Sequence, residues 1–479
     1  MAREAEATPT ADPGQALDRI LDESALTPTH WKIWWLSAMG VFLDGFDLFI
    51  IAVALPIIVM DMSPTPVVEG LIGAAALIGA MVGAFVGGRL TDRLGRKSIY
   101  LVDLGVFIVF SLLTALAPGP ISLLILRGLL GVGVGADYPI CASYVSEFMP
   151  ARVRGRMLIG AFSFQALGMV AAALTGLAIL RVHPEPNAWR FMLAAAVAPA
   201  VVVLLLRRSV PESARWCMEH GQMARAARIV ADLVPRKAVE LAAIAAREGA
   251  APRRQRAASF GVLFSARYLR RTVLAAGAWF LMDIATYAIG IFTPSILAVL
   301  AFSAPGRGPI ASDFLATEGA AFLDVFLVVG FLLNVWLVDR WGRIKLQVIG
   351  FAGMALGLII LAHGASVEAA GGHAALTIFA GFVLFNVLMN VGPNATTFIL
   401  PAELFSTEVR ASGHGFAAGA AKLGAALGIF LLPVLRVRIG VPGLLYLLAV
   451  VCLLGLAITV LFHVETSGRS LEELDPGER

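Results

Sequence analysis

Charge is scarce in this sequence: Asp, Glu, Lys and Arg supply 15% of its 479 residues, against about 25% in an ordinary soluble domain. Cysteine is rarer still. Cys141, Cys217 and Cys452 lie far apart, at spacings that fit neither a disulfide framework nor a metal-ligand set. The seven histidines are dispersed, and neither a G-x-S-x-G elbow nor a Walker loop occurs. These absences leave no catalytic constellation, no metal site and no cofactor in view, and coupling to ATP has no support. The net charge of +4 is small and its basic residues cluster in loops, which points to membrane topology and away from nucleic acid. No cleavable signal peptide is expected, because the first thirty residues are polar and the first apolar run is long enough to span.

What the chain does have is apolar length. Hydrophobic residues make up 59% of it, and mean hydropathy is +0.84. Stretches of about 20 apolar residues, enough to cross ~30 Å of hydrocarbon, recur near 32–58, 68–88, 98–117, 120–143, 156–180, 189–207, 270–300, 317–338, 346–364, 374–400, 408–435 and 441–463. The expected fold is therefore an all-α membrane protein of twelve transmembrane helices in two pseudo-symmetric six-helix bundles. Residues 1–30 read as an N-terminal tail, 31–207 as the first bundle, 208–269 as an Arg-rich linker, 270–463 as the second bundle and 464–479 as a C-terminal tail. Basic clusters fall in the even-numbered loops ("RLTDRLGRK", "PARVRGR", the linker, "DRWGRIK"), so the positive-inside rule puts both termini in the cytoplasm. Arg436 and Arg438, in the last odd-numbered loop, break the pattern.

The halves repeat. "GGRLTDRLGRK" and "WLVDRWGRIK" share D-R-x-G-R, and Asp92 falls 247 residues before Asp339. Glu147 and Arg154 in "SEFMPARVRG" match Glu403 and Arg410 in "AELFSTEVRA", each pair seven apart. An offset of 257 then carries Asp137 onto Asn394 and Gln165 onto Lys422. A parallel repeat about an axis along the membrane normal brings such positions toward each other near the midplane, where transporters bind substrate.

In helix 7, "WFLMDIATY" sets Trp279, Asp283 and Tyr287 four apart, on one helical face. A carboxylate there costs about 2.5–3.5 kcal/mol to insert. An isolated Trp or Tyr in such a helix is more often packing or an interfacial anchor; Asp283 between the two tips the reading toward function. Asp44 and Asp47, three apart in helix 1, are read the same way. Asp103, near the end of helix 3, is as readily a member of a terminal polar network. Gln165 alone would be an interhelical hydrogen bond, and so would Asp324. Gly131, Gly133 and Gly135 read as close helix packing.

The repeated D-R-x-G-R loops resemble the hallmark of the major facilitator superfamily over residues 32–465. "PESARW" and "ETSGRSLEEL" are similar to its sugar-porter-like branch. "DGFDLF", "GVGVGADYP", the W-x3-D-x3-Y stripe and "GPNATTFILPAELFSTEVRASGHGFAAGAAKLGA" resemble the phosphate:H+ symporter family. That resemblance implies a substrate site of Tyr138, Gln165, Trp279, Asp283, Tyr287, Asn394 and Lys422, and a proton route through Asp44, Asp47, Asp103, Asp137 and Asp283. The chain departs from the family at Gly45 and Phe46 in "DGFD", at Ala136 and at Cys141. The chemistry agrees with the implied roles. A tetrahedral anion needs several donors, and phenol, indole, amide and ammonium groups supply them. Asp283 repels an anion unless protonated or paired with Lys422, and that conflict couples proton to anion.

Asp92, Arg93, Arg96, Glu147, Arg154, Asp339, Arg340, Arg343, Glu403 and Arg410 cluster at helix ends on the basic side. They are expected to form a cytoplasmic gate of salt bridges that break as the halves rock. The function expected is secondary active, proton-coupled symport of inorganic phosphate across the plasma (inner) membrane, by a monomer with the lipid bilayer as its surroundings. A symporter of an organic acid or sugar is the nearest alternative, and a transport-like nutrient receptor the next.

Overall fold

A computed structural model describes residues 13–237, 260–300, 309–405 and 410–466. Every regular element among them is helical. Span 1 is Pro28–Met62, span 2 Pro66–Leu94, span 3 Arg96–Ala115 and span 4 Pro120–Phe148. Span 5 is broken into Ala151–Phe162 and Phe164–Val182, and span 6 into Ala188–Ala194 and Val197–Arg207. Span 7 runs through Leu269–Thr272, a π-helical turn Val273–Gly277 and Ala278–Leu300. Span 8 is Pro309–Trp341, span 9 Arg343–Ala369, and span 10 is broken into Ala375–Val391 and Pro393–Leu404. Spans 11 and 12 form one trace, Arg410–Leu461, bent at Gly440. There φ is 70°, which glycine adopts without a Cβ clash, and Pro442 follows.

Ten described helices are long and apolar enough to cross a membrane. The last, Gly413–Leu461, bends into two, and span 8 adds a shorter apolar stretch, Val325–Val338. Twelve spans result. Large apolar side chains such as Val102, Leu174, Phe191, Leu332 and Leu453 stay exposed around the outside, where lipid is the only suitable solvent.

Small residues set how closely the helices approach. A Cβ on Gly131 or Gly135 of span 4 would strike the Ala76 or Ala80 carbonyl of span 2, as the sequence suggests. Between the halves, Gly70 meets Phe430, Gly73 meets Ile429 and Phe85 meets Gly419. Span 2 therefore lies antiparallel against span 11 along its length. Arg436 pairs with Glu69 at 3.8 Å across this contact. Of the two basic residues that break the loop pattern, Arg436 is thus tied to span 2.

Among the described linker residues are two short helices, Ala214–Glu219 and Met223–Leu233. An N-terminal helix, Pro13–Glu23, buries Leu17, Ile20 and Leu21 and carries Asp22, which pairs with Arg215 at 2.9 Å. Residues 1–12, 238–259, 301–308, 406–409 and 467–479 lie outside the described ones.

Candidate functional site

Three spans are irregular just before they present a polar residue. Span 5 breaks at Ser163, whose hydroxyl turns back to the Gly160 carbonyl, and Gln165 follows. Span 7 carries its π turn just before Trp279. Span 10 breaks at Gly392, Pro393 restarts it, and Asn394 comes next. Asn334 of span 8 donates to the Val391 carbonyl at 2.6 Å beside that break. Irregular helix at membrane depth survives only where the protein satisfies it, and it clusters at functional sites.

The central cluster joins both halves. Gln165 Nε2 donates to the Tyr138 hydroxyl at 2.7 Å and to the Tyr287 hydroxyl at 3.3 Å. Lys422 Nζ donates to Tyr287 at 3.0 Å and lies 3.8 Å from Asp283. The same ammonium sits 4.7 Å from the centre of the Tyr138 ring and 4.9 Å from that of Tyr287. All five side chains are buried. Tyr138 and Gln165 come from the first half, and Asp283, Tyr287 and Lys422 from the second. Tyr287 already accepts from two donors, so its acceptor sites are filled and its proton is left to give. An ammonium, two phenols and an amide now bonded to one another can exchange those bonds for the oxygens of an anion.

Aromatic contacts between the halves lie on both sides of this cluster. Toward the basic end, Phe162 of span 5 stacks on Phe398 of span 10 at 4.4 Å and touches Phe331 of span 8 at 5.9 Å. A small cavity behind them is lined by Val41, Tyr138, Cys141, Leu158, Phe162 and Phe398. On the other side, Phe49 of span 1 lies 5.9 Å from Tyr287 and covers Gly290.

A second polar group lies wholly within the first half. Arg207, at the end of span 6, is fully buried. It pairs with Asp137 at 2.9 Å and Asp103 at 3.6 Å, and it donates to the Tyr100 carbonyl at 3.1 Å. Its guanidinium covers the Tyr100 ring at 3.5 Å. Cys141 Sγ donates to Asp137 at 3.2 Å. A Cβ on Gly40 would strike both Arg207 and Asp137, so glycine leaves the room for this pair. Asp44 lines the same small cavity as Asp103, Asp137 and Arg207, and its Oδ2 has no hydrogen-bond partner. Asp47, one turn on, turns elsewhere and meets Arg127 of span 4 at 3.3 Å, both fully buried.

At the basic end, matching braces close each half. Arg96 pairs with Glu147 at 3.2 Å, and Arg343 pairs with Glu403 through two bonds at 3.1 and 3.2 Å. Glu212 of "PESAR" accepts from the Arg96 and Lys97 amides, and Glu465 of "ETSGR" accepts from those of Arg343 and Ile344. Each glutamate thus caps a helix N-terminus, where a negative charge is favoured. Gly95 and Gly342 precede these helices with φ of 94° and 88°, and a Cβ on either would strike the capping carboxylate.

Of the expected substrate residues, Tyr138, Gln165, Asp283, Tyr287 and Lys422 come together. Trp279 joins them through a hydrogen bond to Asp283 and is buried beside Phe398 and His414. Asn394 donates to Asn390 within its own span, at 2.7 Å. Of the two repeat pairs, Gln165 and Lys422 meet on one phenol; Asp137 and Asn394 do not meet. Of the carboxylates, Asp44, Asp103 and Asp137 share one cavity, while Asp47 and Asp283 have separate cationic partners. The Arg96–Glu147 and Arg343–Glu403 pairs lie within a half rather than between halves, so they brace helices, and the aromatic contacts span the interface. Arg340 stacks on Trp336 at 4.3 Å. The side chains of Asp92, Arg93, Arg154, Asp324, Asp339 and Arg410 lie outside the described ones. Sequence reasoning missed Arg127, Arg207, Glu212 and Glu465. A lone Arg in the apolar run "LLILRGLLGVG" is the signal that marks the first.

The model of the sugar (and other) transporter family matches residues 34–477. The chain belongs to that family. It is a membrane transporter and not an enzyme. It is 35% identical to "Probable inorganic phosphate transporter 1-10" of Oryza sativa subsp. japonica, covering 95% of this chain and 91% of that one. Identity is 31% to "Probable inorganic phosphate transporter 1-6" of Arabidopsis thaliana, covering 95% of each. "Inner membrane metabolite transport protein YgcS" of Escherichia coli is 32% identical over 94% of this chain and 95% of its own. Among solved structures, the partially occluded inward-open xylose transporter XylE of E. coli superposes with a TM-score of 0.73 at 19% identity, covering 93% of this chain and all of that one. At that identity the likeness speaks to the fold, and it supports the twelve-helix, two-bundle fold of the major facilitator superfamily expected from the sequence.

Proposed function

We propose that the protein is a proton-coupled symporter of inorganic phosphate, working by alternating access as a monomer in the plasma (inner) membrane with its basic end in the cytoplasm. The observation that carries this reading is the buried set Gln165, Tyr138, Tyr287, Lys422 and Asp283, which combines anion donors from both halves with one carboxylate. The printed names of the rice and Arabidopsis relatives support the substrate. Phosphate entering beside Lys422 accepts a hydrogen bond from the Tyr287 hydroxyl and competes with Asp283 for the ammonium. A proton on Asp283 removes that competition, so each ligand favours the other. Asp44, Asp103 and Asp137 carry the proton, with Arg207 as their shared counter-ion. Rocking of the halves separates Phe162 from Phe398 on one side and Phe49 from Tyr287 on the other. The two braces tie helix ends within each half.

The match to YgcS, a metabolite transporter by name, favours an organic solute as the second reading. Proteoliposomes with an acid-outside gradient separate the two. Labelled phosphate should accumulate, and unlabelled phosphate and arsenate should compete while hexoses and aromatic acids should not. Accumulation of a labelled hexose or organic acid, with none of labelled phosphate, overturns the phosphate reading. Binding without accumulation would make the protein a receptor.

A further inference from the structure

Between the acidic cavity and the basic-end brace of the first half runs an unbroken line of contacts. Arg207 pairs with Asp137 and Asp103 and lies on the Tyr100 ring. The Tyr100 ring packs on Tyr144 at 4.7 Å. The Tyr144 hydroxyl donates to the Pro211 carbonyl at 3.3 Å, and the next residue, Glu212, caps span 3 at the Arg96 amide. Arg96 closes the line on Glu147 of span 4. Arg207 and Glu212 are also joined through the chain, five residues apart, so a shift of one pulls the other.

Among the described residues, the second half keeps the brace and shows no such line. Glu465 matches Glu212 at an offset of 253, and the same offset carries Arg207 onto Val460, which faces outward with 53% of its surface exposed. Where the first half holds a guanidinium among carboxylates, the second holds a neutral chain of Thr396, Gln347 and Thr459, with bonds of 2.9 Å. Nothing in that chain changes charge.

We infer that Arg207 is a positioning residue that transmits the charge of the Asp44–Asp103–Asp137 cavity to the Arg96–Glu147–Glu212 brace, so that proton uptake loosens the basic end of the first half alone. The groups facing it are Asp44 of span 1, Tyr100 and Asp103 of span 3, and Asp137, Cys141 and Tyr144 of span 4. Lys422 of span 11 acts on Asp44 from across the interface, and Glu212 and Glu147 act on Tyr144 from the brace. A proton gained by any of the three aspartates removes one of the charges holding Arg207 in place. Its hold on Tyr100, and through Tyr144 and Pro211 on Glu212, then relaxes. The two ends of such a line shift together because they share one two-state element. The inference rests on the proton reading of the cavity.

The test is the reactivity of Leu158→Cys, in the cavity behind Phe162 and Phe398, toward a water-soluble maleimide applied from the basic side, with no substrate present. The parent chain without this substitution supplies the background from Cys141. Because the thiolate is the reacting form, each rate is divided by that of a free thiol such as glutathione measured at the same pH. Between about pH 7.5 and about pH 5.5 this normalised labelling rate should rise about fivefold or more, the low end of ordinary coupling factors. Arg207→Gln should flatten that dependence to within about twofold, and Arg207→Lys should restore part of it. Tyr144→Phe keeps the ring stack but loses the bond to Pro211, so it should flatten the dependence even if Arg207→Gln fails to fold. A Leu158→Cys chain with no pH dependence overturns the proton reading and the coupling with it. A pH-dependent chain that keeps its dependence in both Arg207→Gln and Tyr144→Phe overturns the coupling alone.

Discussion

Replacing Tyr287 with Phe removes one oxygen and keeps the ring. The tilted contact of that ring with Phe49 survives, and so does the bond of Gln165 to Tyr138 at 2.7 Å. What goes is the 3.0 Å bond from Lys422, the longer 3.3 Å bond from Gln165, and the phenol proton available to a ligand. A hydrogen bond involving a charged partner contributes about 1.5–3 kcal/mol net, and more is at stake when a buried donor is left unmet. In the free protein the variant leaves Lys422 with Asp283 at 3.8 Å, beyond hydrogen-bond reach. Stability should therefore fall by about 1–2 kcal/mol, in line with one unmet buried donor.

The loss for the ligand is set by the phenol proton. Phosphate is an anion, so the bond is charge-assisted, and its absence should weaken binding by about 1.5–3 kcal/mol, or about 10- to 150-fold in Kd. Calorimetry or scintillation-proximity binding of phosphate to the detergent-purified protein reads the Kd directly, and thermal unfolding in parallel reads the stability. Because Phe preserves the packing, a general disruption of the fold cannot imitate a selective loss of affinity. A Kd within about twofold of the parent would refute the argument, since it would mean that phosphate accepts no hydrogen bond from Tyr287.

Asp283→Asn should abolish gradient-driven accumulation yet retain counterflow, because the amide resembles a protonated carboxyl that cannot release its proton; accumulation that persists assigns the proton elsewhere. Lys422→Ala should weaken phosphate binding, and combined with Asp283→Asn it should be non-additive by about 0.5–3 kcal/mol, as measured in a binding double-mutant cycle. Arg96→Ala and Arg343→Ala should each slow counterflow about tenfold or more while binding stays within about twofold, since a brace biases the conformational change without touching the ligand; a large loss of binding in folded protein contradicts that role. Acidifying the outside by one unit adds about 1.4 kcal/mol of driving force per proton, so steady-state accumulation should rise about tenfold per coupled proton and collapse with a protonophore. Uptake that ignores the protonophore and requires sodium excludes proton coupling.

The spans, the repeat and the central stripe are legible from the sequence because each rests on a local regularity. Apolar length fixes the spans. A four-residue spacing puts Trp279, Asp283 and Tyr287 on one face, and an offset of 257 pairs Gln165 with Lys422 before any coordinates are seen. Partners across the bundle have no such signature. Arg127 is 80 residues from Asp47 and Arg207 is 70 from Asp137, and no local pattern records either meeting. Arg127 sits in the middle of an apolar run, where the rule applied to the aspartates applies equally to a cation. Arg207 hides better. It begins "RRSVPES", reads as the last residue of span 6 at the edge of the polar linker, and shows its intramembrane role only when span 6 sets it against spans 3 and 4. The braces were half-legible: the glutamate–arginine repeat marks the positions, but only the positive φ of Gly95 and Gly342 shows how Glu212 and Glu465 reach the helix ends.

A formal charge count gives these scattered pairs one physical consequence. Among the described residues, and leaving aside Glu69, Arg96 and Glu212, which are buried at the helix ends, five buried carboxylates (Asp44, Asp47, Asp103, Asp137 and Asp283) face three buried cations (Arg127, Arg207 and Lys422). Asp47 is matched by Arg127 and Asp283 by Lys422, which leaves three carboxylates around Arg207 and an excess of two negative charges when all are ionised. Charge of one sign at low effective dielectric acts over a longer range than it would in water. An anion approaching Lys422 therefore meets the field of the acidic cavity as well as the ammonium, and each proton taken up by that cavity lowers the opposing charge by one. Asp44 is the bridge, since it lines the acidic cavity and also lies within the electrostatic reach of Lys422. The repeated backbone sets the two groups on opposite sides of the interface, and the unlike residues at equivalent positions make one side acidic and the other anion-binding. Proton and anion are then coupled directly where Asp283 and the anion compete for Lys422, and a common field across the interface adds to that coupling at longer range.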